Sequence, residues 1–257
     1  MRGWWQEIAG LVLPADCAGC GLPRSVLCER CRGELYGHGP RRVRPDPEPV
    51  GLPPVHAAAP YAESVRSLLI AHKERGALAL AKPLGGALAG AVLRAGRVHT
   101  GPGVRDRRGP LLLVPVPSAR HAVAGRGHDA GRRVAWAAAG VLRGAGFPVR
   151  VAAVLRLRRA VADQSGLDAR QRRLNVAGAM GVARGAERLW RQGEPVVLVD
   201  DLMTTGATLA EAARAVSGAG GPVVGAAVVA APWRTFEKRS EPTGKAQRSI
   251  GKRQENT

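Results

Sequence analysis

Val196-Val197-Leu198-Val199-Asp200-Asp201-Leu202-Met203-Thr204-Thr205-Gly206-Ala207-Thr208 is the stretch from which the rest of the chain can be read. Its first four residues are apolar, with Val196 and Val197 β-branched in a row, and read as a buried strand. Asp200 and Asp201 stand where that strand is expected to end. A turn of Thr, Thr, Gly, Ala and Thr follows, and Leu209 to Val216 has helical composition and spacing. Small side chains let backbone N–H groups approach an anion, and a helix N-terminus adds partial positive charge. The threonine hydroxyls add donors, while the two carboxylates can only accept, which suits sugar hydroxyls or a hydrated Mg²⁺. An anion seat beside a diol seat fits a ribose 5-phosphate. A plain strand-turn-helix corner with a Thr-rich cap is the alternative, but an unpaired Asp-Asp at a strand end does nothing for packing.

Cys17-Ala-Gly-Cys20 and Cys28-Glu-Arg-Cys31 hold all four cysteines of the chain in one short window. The stretch Met1 to Leu13 carries Arg2 and Glu7 in a broken apolar run, unlike a secretory leader, so a cytoplasmic setting is expected. There, two CxxC knuckles favour metal over disulfides, and four thiolates can surround Zn²⁺ tetrahedrally. Such a closed sphere makes the metal structural. A redox pair or a metal-free remnant is the competing reading. Trp4, Trp5, Leu11, Val12 and Leu13 are expected to pack the knuckle against the main domain.

The acidic pair, three residues, Thr-Gly, one residue and Thr resemble the phosphoribosyl pyrophosphate (PRPP) signature of type I phosphoribosyltransferases. A double CxxC knuckle before that signature resembles the layout of the ComF family. Leu111-Leu112-Leu113-Val114-Pro115-Val116-Pro117-Ser118 resembles the family's strand and Val-Pro-Val-Pro turn. Gln164-Ser165-Gly166-Leu167, Arg172 and Asn175 to Ala179 resemble its Gln, Arg and Asn-Val-x-Gly-Ala segment. Lys73 matches the Lys of the family's early helix, and Arg126-Gly127-His128-Asp129 stands where Arg-Gly-Phe-Asn is usual. The departures are His128, Asp129 and Met180.

The resemblance implies an α/β, type I phosphoribosyltransferase fold with a small N-terminal zinc-ribbon-like module. It implies that Asp200 and Asp201 hold the ribose 2′- and 3′-hydroxyls, and that Thr204, Thr205, Gly206, Ala207 and Thr208 cradle the 5-phosphate. Pro115, Val116, Pro117 and Ser118 would face the pyrophosphate, with Lys73, Arg126 and Arg172 as candidate clamps. The chemistry implied is displacement at ribose C1 with Mg²⁺ present, through a transition state like an oxocarbenium ion. Residues 158–175 are a candidate flap, and His128 a candidate acid or base against a plain structural histidine. Thr204 stands where hypoxanthine-guanine members carry an Asp, which argues against 6-oxopurine acceptors. Family membership also suggests a second role, a non-catalytic module binding single-stranded DNA or a competence helicase during DNA uptake.

The remaining composition is compatible with both roles. A chain of 257 residues, 45% hydrophobic, is long enough for one substantial domain and an appendage. No run of about 18 apolar residues is read, so no membrane span is expected; the nearest candidate, Ala77 to Leu93, contains Lys82, Pro83 and Gly85-Gly86. The net charge of +19 suggests a polyanionic partner, but only five of the 39 basic residues are lysines, which with abundant Ala and Gly reads as GC-rich coding bias. Aromatic residues that would stack bases are scarce. The pattern divides into a metal module (1–36), a Pro/Arg-rich linker (37–54), the main domain (55–231) and a basic, disordered tail (232–257). Within the main domain, Ala77 to Arg94 reads as a helix or helix pair interrupted near Lys82-Pro83, Val149 to Leu157 as a strand, and alternating elements as a parallel sheet.

Overall fold

The computed structural model describes residues 16–97, 110–118, 120–159 and 169–237. Trp4, Trp5, Leu11, Val12, Leu13, Gln164 to Leu167 and the tail beyond Glu237 lie outside the described residues.

The element order is α1 (Glu29–Tyr36), β1 (Arg41–Val43), β2 (Val55–Pro60), α2 (Glu63–Glu74), a 3₁₀ turn (Leu78–Leu80), α3 (Ala81–Arg97), β3 (Leu111–Pro115), α4 (Arg120–Arg126), α5 (Ala130–Gly144), β4 (Val149–Val151) and β5 (Leu155–Leu157). It continues with α6 (Ala169–Val176), β6 (Met180–Val182), a 3₁₀ turn (Ala186–Trp190), β7 (Val196–Leu202), α7 (Ala207–Ser217), β8 (Val223–Ala231) and a final 3₁₀ turn (Trp233–Thr235).

Six strands form one sheet in the order β1-β2-β8-β7-β3-β4, and β5 pairs with β6 in a separate antiparallel ribbon. All neighbours in the large sheet are parallel except β1, which pairs antiparallel with β2. Parallel strands buried on both faces need apolar residues at successive positions, which Val196 to Val199 and Leu111 to Val114 supply. Side-chain alternation then sorts them into two layers. Leu111, Leu113, Val197, Val199, Ala227 and Val229 share one core with α3 and α5, while Leu112, Val114, Val196, Leu198, Ala226 and Val228 share the other with α7 and Trp190.

Three local readings are corrected. Pro83 does not break α3, because it lies in the first turn, where its missing N–H has no intrahelical partner to lose. Val149 to Leu157 is two strands rather than one: Ala152 N–H still donates to Leu113 O at 2.8 Å, but Val154 N–H then turns back onto Ala152 O at 2.8 Å and sends β5 into the ribbon. The run Leu78–Gly96 is long and apolar enough to cross a membrane, 19 residues with mean hydropathy 1.3, but more than half of its most apolar window is buried inside the protein. Leu80, Leu84, Leu88 and Val92 lie in the core, and Gly85 sits so close to α5 that a Cβ would fall 2.4 Å from Ala137 Cβ.

Two further segments join the sheet or its core. Residues 37–54 carry β1, whose Val43 is buried, and Phe236 bridges to Val43 beyond the end of β8. The cysteine module shares the first core: Cys31 and Leu35 are buried with Val65, Leu68 and Leu84, and the Ser64 hydroxyl donates to Glu34.

Candidate active site

In parallel α/β sheets ligands sit at the carboxyl ends of the strands, and there this chain gathers its charged residues. β7 runs through both acids to Leu202, so Asp200 and Asp201 occupy its last turn of pleat rather than a loop after it. The peptide N–H of Asp201 donates to Asp200 Oδ1 at 2.8 Å, which fixes the Asp200 carboxylate against the strand end. Lys73, in the last turn of α2, places Nζ 2.9 Å from Asp201 Oδ2. Asp200 is pushed well above the usual carboxylate range by burial and then by the Asp201 charge. Burial also opposes ionisation of Asp201, but Lys73 and the hydrogen bonds around it outweigh that and hold it low. Asp201, in turn, holds the Lys73 ammonium above its ordinary range. Ionisation is thus opposed at Asp200 and favoured at Asp201, with the Lys73 ammonium beside them at the end of β7.

The loop after β7 is built for close approach. Gly206 precedes α7 with φ +75°, a left-handed conformation that side chains disfavour, and a Cβ there would lie 2.9 Å from Leu52 Cδ2. The Thr205 hydroxyl accepts a long 3.5 Å hydrogen bond from Ala207 N–H. Thr204 to Thr208 thus lead directly into the N-terminus of an 11-residue helix, whose first-turn N–H groups lack intrahelical partners and favour an anion. Glu211 anchors that helix: it is buried, accepts Met180 N–H at 2.9 Å and pairs with Arg214 at 2.7 Å, fixing α7 against β6.

Pro115, Val116, Pro117 and Ser118 leave β3 beside the acids, with Val116 N–H donating to Val199 O at 2.9 Å. Ser118 Oγ reaches Asp129 Oδ1 at 3.5 Å, and the same Asp129 oxygen caps α5 by accepting Arg132 N–H at 3.1 Å. Arg126 pairs with Glu74 at 2.9 Å, its side chain is 10% exposed, and its Nε is buried with no partner. Its charge is felt at Lys73, which places the two cations in one neighbourhood. His128 turns both ring nitrogens to backbone carbonyls, Arg126 O at 3.0 Å and His72 O at 3.3 Å, and so braces the loop.

Of the residues singled out by sequence, Asp200, Asp201, Lys73, Arg126, the Pro115–Ser118 turn and the Thr204–Thr208 loop converge on one edge. Arg172 lies in α6, and its side chain is outside what is described. Sequence reasoning missed Glu74, Glu211 and Leu52. Glu211 and Arg214 carried the one usable signal, an i,i+3 acid-base spacing on a helix.

The four cysteines form a second cluster. Their Sγ atoms all lie within 4.8 Å of one another, and Cys20 Sγ is 3.6 Å from Cys28 Sγ. A tetrahedron with Zn–S bonds of about 2.3 Å has edges near ~3.8 Å, so the thiols are spaced to hold one ion such as zinc. Cys28 N–H donates to Cys17 Sγ at 3.4 Å. Against the opposing effect of burial, that bond and the N–H groups of Cys20 and Gly19 draw the Cys17 thiol down to about 6, while burial first and its thiol neighbours next push Cys31 up.

A family model of the phosphoribosyl transferase domain matches residues 142–248. The matched stretch holds the acidic pair, the Thr204–Thr208 loop, α7 and β8, and it supports a protein of phosphoribosyltransferase fold. The mostly parallel six-stranded sheet flanked by helices is consistent with the type I form of that fold. Such a domain implies PRPP as the substrate. No curated protein matches the chain.

Proposed function

We propose that this chain binds PRPP with Mg²⁺ and transfers its phosphoribosyl group to an acceptor, as a ComF-family protein with a structural zinc knuckle. The observation that carries the reading is the Asp200-Asp201 pair at the end of β7, followed within one loop by left-handed Gly206 and the N-terminus of α7. The two carboxylates accept from the ribose hydroxyls, and the loop N–H groups and hydroxyls hold the 5-phosphate. Mg²⁺, held through these carboxylates, would neutralise charge on the departing pyrophosphate. Lys73 and Arg126 supply fixed positive charge on the β3 side, where the Pro115–Ser118 turn faces the leaving group. As the oxocarbenium character grows at C1, the acidic pair stabilises the positive sugar ring. Calorimetric titration with Mg-PRPP tests the reading: one site per chain supports it, and absence of binding rejects it.

The net charge of +19 favours a second reading, a non-catalytic module for single-stranded DNA or a competence helicase. Arginine-to-phosphate contact with few stacking partners makes weak, sequence-independent binding that falls steeply with salt. A fluorescent single strand titrated across salt distinguishes this from coding bias, which gives no binding even at low salt.

A further inference from the structure

We propose that a groove along α2 seats the acceptor, and that the acceptor carries an anionic substituent on a planar, apolar body. This rests on the phosphoribosyl-transfer reading.

Helix α2 lies along the carboxyl edge of the sheet. It begins just after Tyr61, whose N–H donates to Ala231 O at 2.7 Å at the end of β8, and it ends by delivering Lys73 to Asp201 on β7. Strands about 4.8 Å apart put the β2 and β7 ends roughly 10 Å from each other. Twelve helical residues span about 18 Å, enough to cross that interval. Along this helix lies a cavity of about 820 Å³, lined by Gly19 of the cysteine module, Tyr61, Glu63, Arg66, Ile70 and Arg75. Arg66, Ile70 and Lys73 follow one another at i, i+4 and i+7, so the face that lines the cavity also presents Lys73 to the acids.

Position relative to the leaving group selects the occupant. The sheet order runs β2-β8-β7-β3, with the acids on β7. Pyrophosphate belongs on the β3 side, with Arg126 and the Pro115–Ser118 turn. Displacement at C1 brings the nucleophile to the face opposite the bond that breaks; with pyrophosphate on the β3 side that is the β8–β2 side, where Tyr61 of the groove lining follows β2 and bonds the end of β8. The acceptor's lone pair forms the new bond to C1, the C1–O bond breaks with its pair leaving on pyrophosphate, and the nucleophile's proton passes to solvent. Tyr61 and Ile70 offer apolar surface to a flat body. Arg66 and Arg75 against Glu63 leave the groove one net positive charge, which suits a carboxylate or phosphate on the acceptor.

Matched probes isolate that charge. Orotate against uracil, and nicotinate against nicotinamide, are titrated into full-length protein saturated with Mg-PRPP, and again into Arg66→Glu/Arg75→Glu. Both arginines are exposed, and the thermal midpoint of the variant reports that it is folded. The inference predicts that each carboxylate binds at least tenfold more tightly than its neutral partner, and that charge reversal removes the preference. Equal binding within the pairs, no binding of either carboxylate, or a preference that survives in the folded variant overturns it while leaving Mg-PRPP binding intact. A wild-type protein that fails to bind Mg-PRPP overturns the transfer reading itself.

Discussion

Replacing Gly206 by alanine tests the phosphate loop at the position where geometry is most demanding. The residue has φ +75°, and an added Cβ would lie 2.9 and 3.2 Å from the two δ-methyls of Leu52 and 3.3 Å from Pro45 Cγ. Holding alanine in the left-handed region costs about 1–2 kcal/mol. Turning the flexible end of Leu52 aside adds about 0.5–1.5 kcal/mol. A total near 2 kcal/mol lowers the thermal midpoint of a domain this size by about 4–8 °C. Gly220→Ala is the control: its φ is +79°, yet nothing lies within 4 Å of an added Cβ, so it bears the conformational cost alone. Because Gly206 sets how Ala207 and Thr208 present their N–H groups, Mg-PRPP affinity should fall at least about tenfold in Gly206→Ala, equal to ~1.4 kcal/mol, and stay unchanged in Gly220→Ala. Differential scanning fluorimetry and calorimetry on the two variants read both effects. Equal losses of midpoint, or unchanged affinity in Gly206→Ala, would refute the reasoning.

Other outcomes follow from the same geometry. Glu74→Gln should free Arg126 and weaken Mg-pyrophosphate by several-fold, with ribose 5-phosphate binding unchanged; equal loss for both ligands in calorimetry would show a general structural defect instead. Cys17→Ser/Cys28→Ser should lose about one Zn²⁺ by metal analysis and lower the thermal midpoint of the whole protein, since the cysteines share a core with Leu35, Leu68 and Leu84. Burial and Asp201 raise Asp200, so the folded state keeps a proton that the unfolded chain has lost, and stability falls as pH rises from the ordinary carboxylate range through the raised value. Asp200→Asn should therefore stabilise the protein at about pH 8 and change little at about pH 4, as read by denaturant midpoints; destabilisation at the higher pH would contradict it.

The site's centre was legible because its chemistry is local in sequence. Val196 to Thr208 forms strand, acids and loop without a break, so pattern alone located them. The flanks were less legible, since Lys73 meets Asp201, and Arg126 meets Glu74, only through the path of α2 across the sheet edge. Glu74 gave no signal at all, because its partner Arg126 is 52 residues away. Pro83 misled through neglect of its place in the first helical turn, and Val149 to Leu157 misled because periodicity does not show where Val154 turns back on Ala152. The stretch 37–54 looked like a linker because its strand is three residues long and sits among prolines, yet Val43 is in the core. The contact surface of the cysteine module was illegible for a similar reason: its packing against α2 and α3 is tertiary, through Leu35 and the Ser64–Glu34 hydrogen bond.

Calorimetric titration of Mg-PRPP into wild-type protein and into folded Asp200→Asn/Asp201→Asn tests the central claim most directly. Charge-assisted hydrogen bonds of about 1.5–3 kcal/mol each predict one site in the wild type and a loss of more than about tenfold in the double variant. Equal affinity in the two proteins would contradict the assignment of the acidic pair to the ribose.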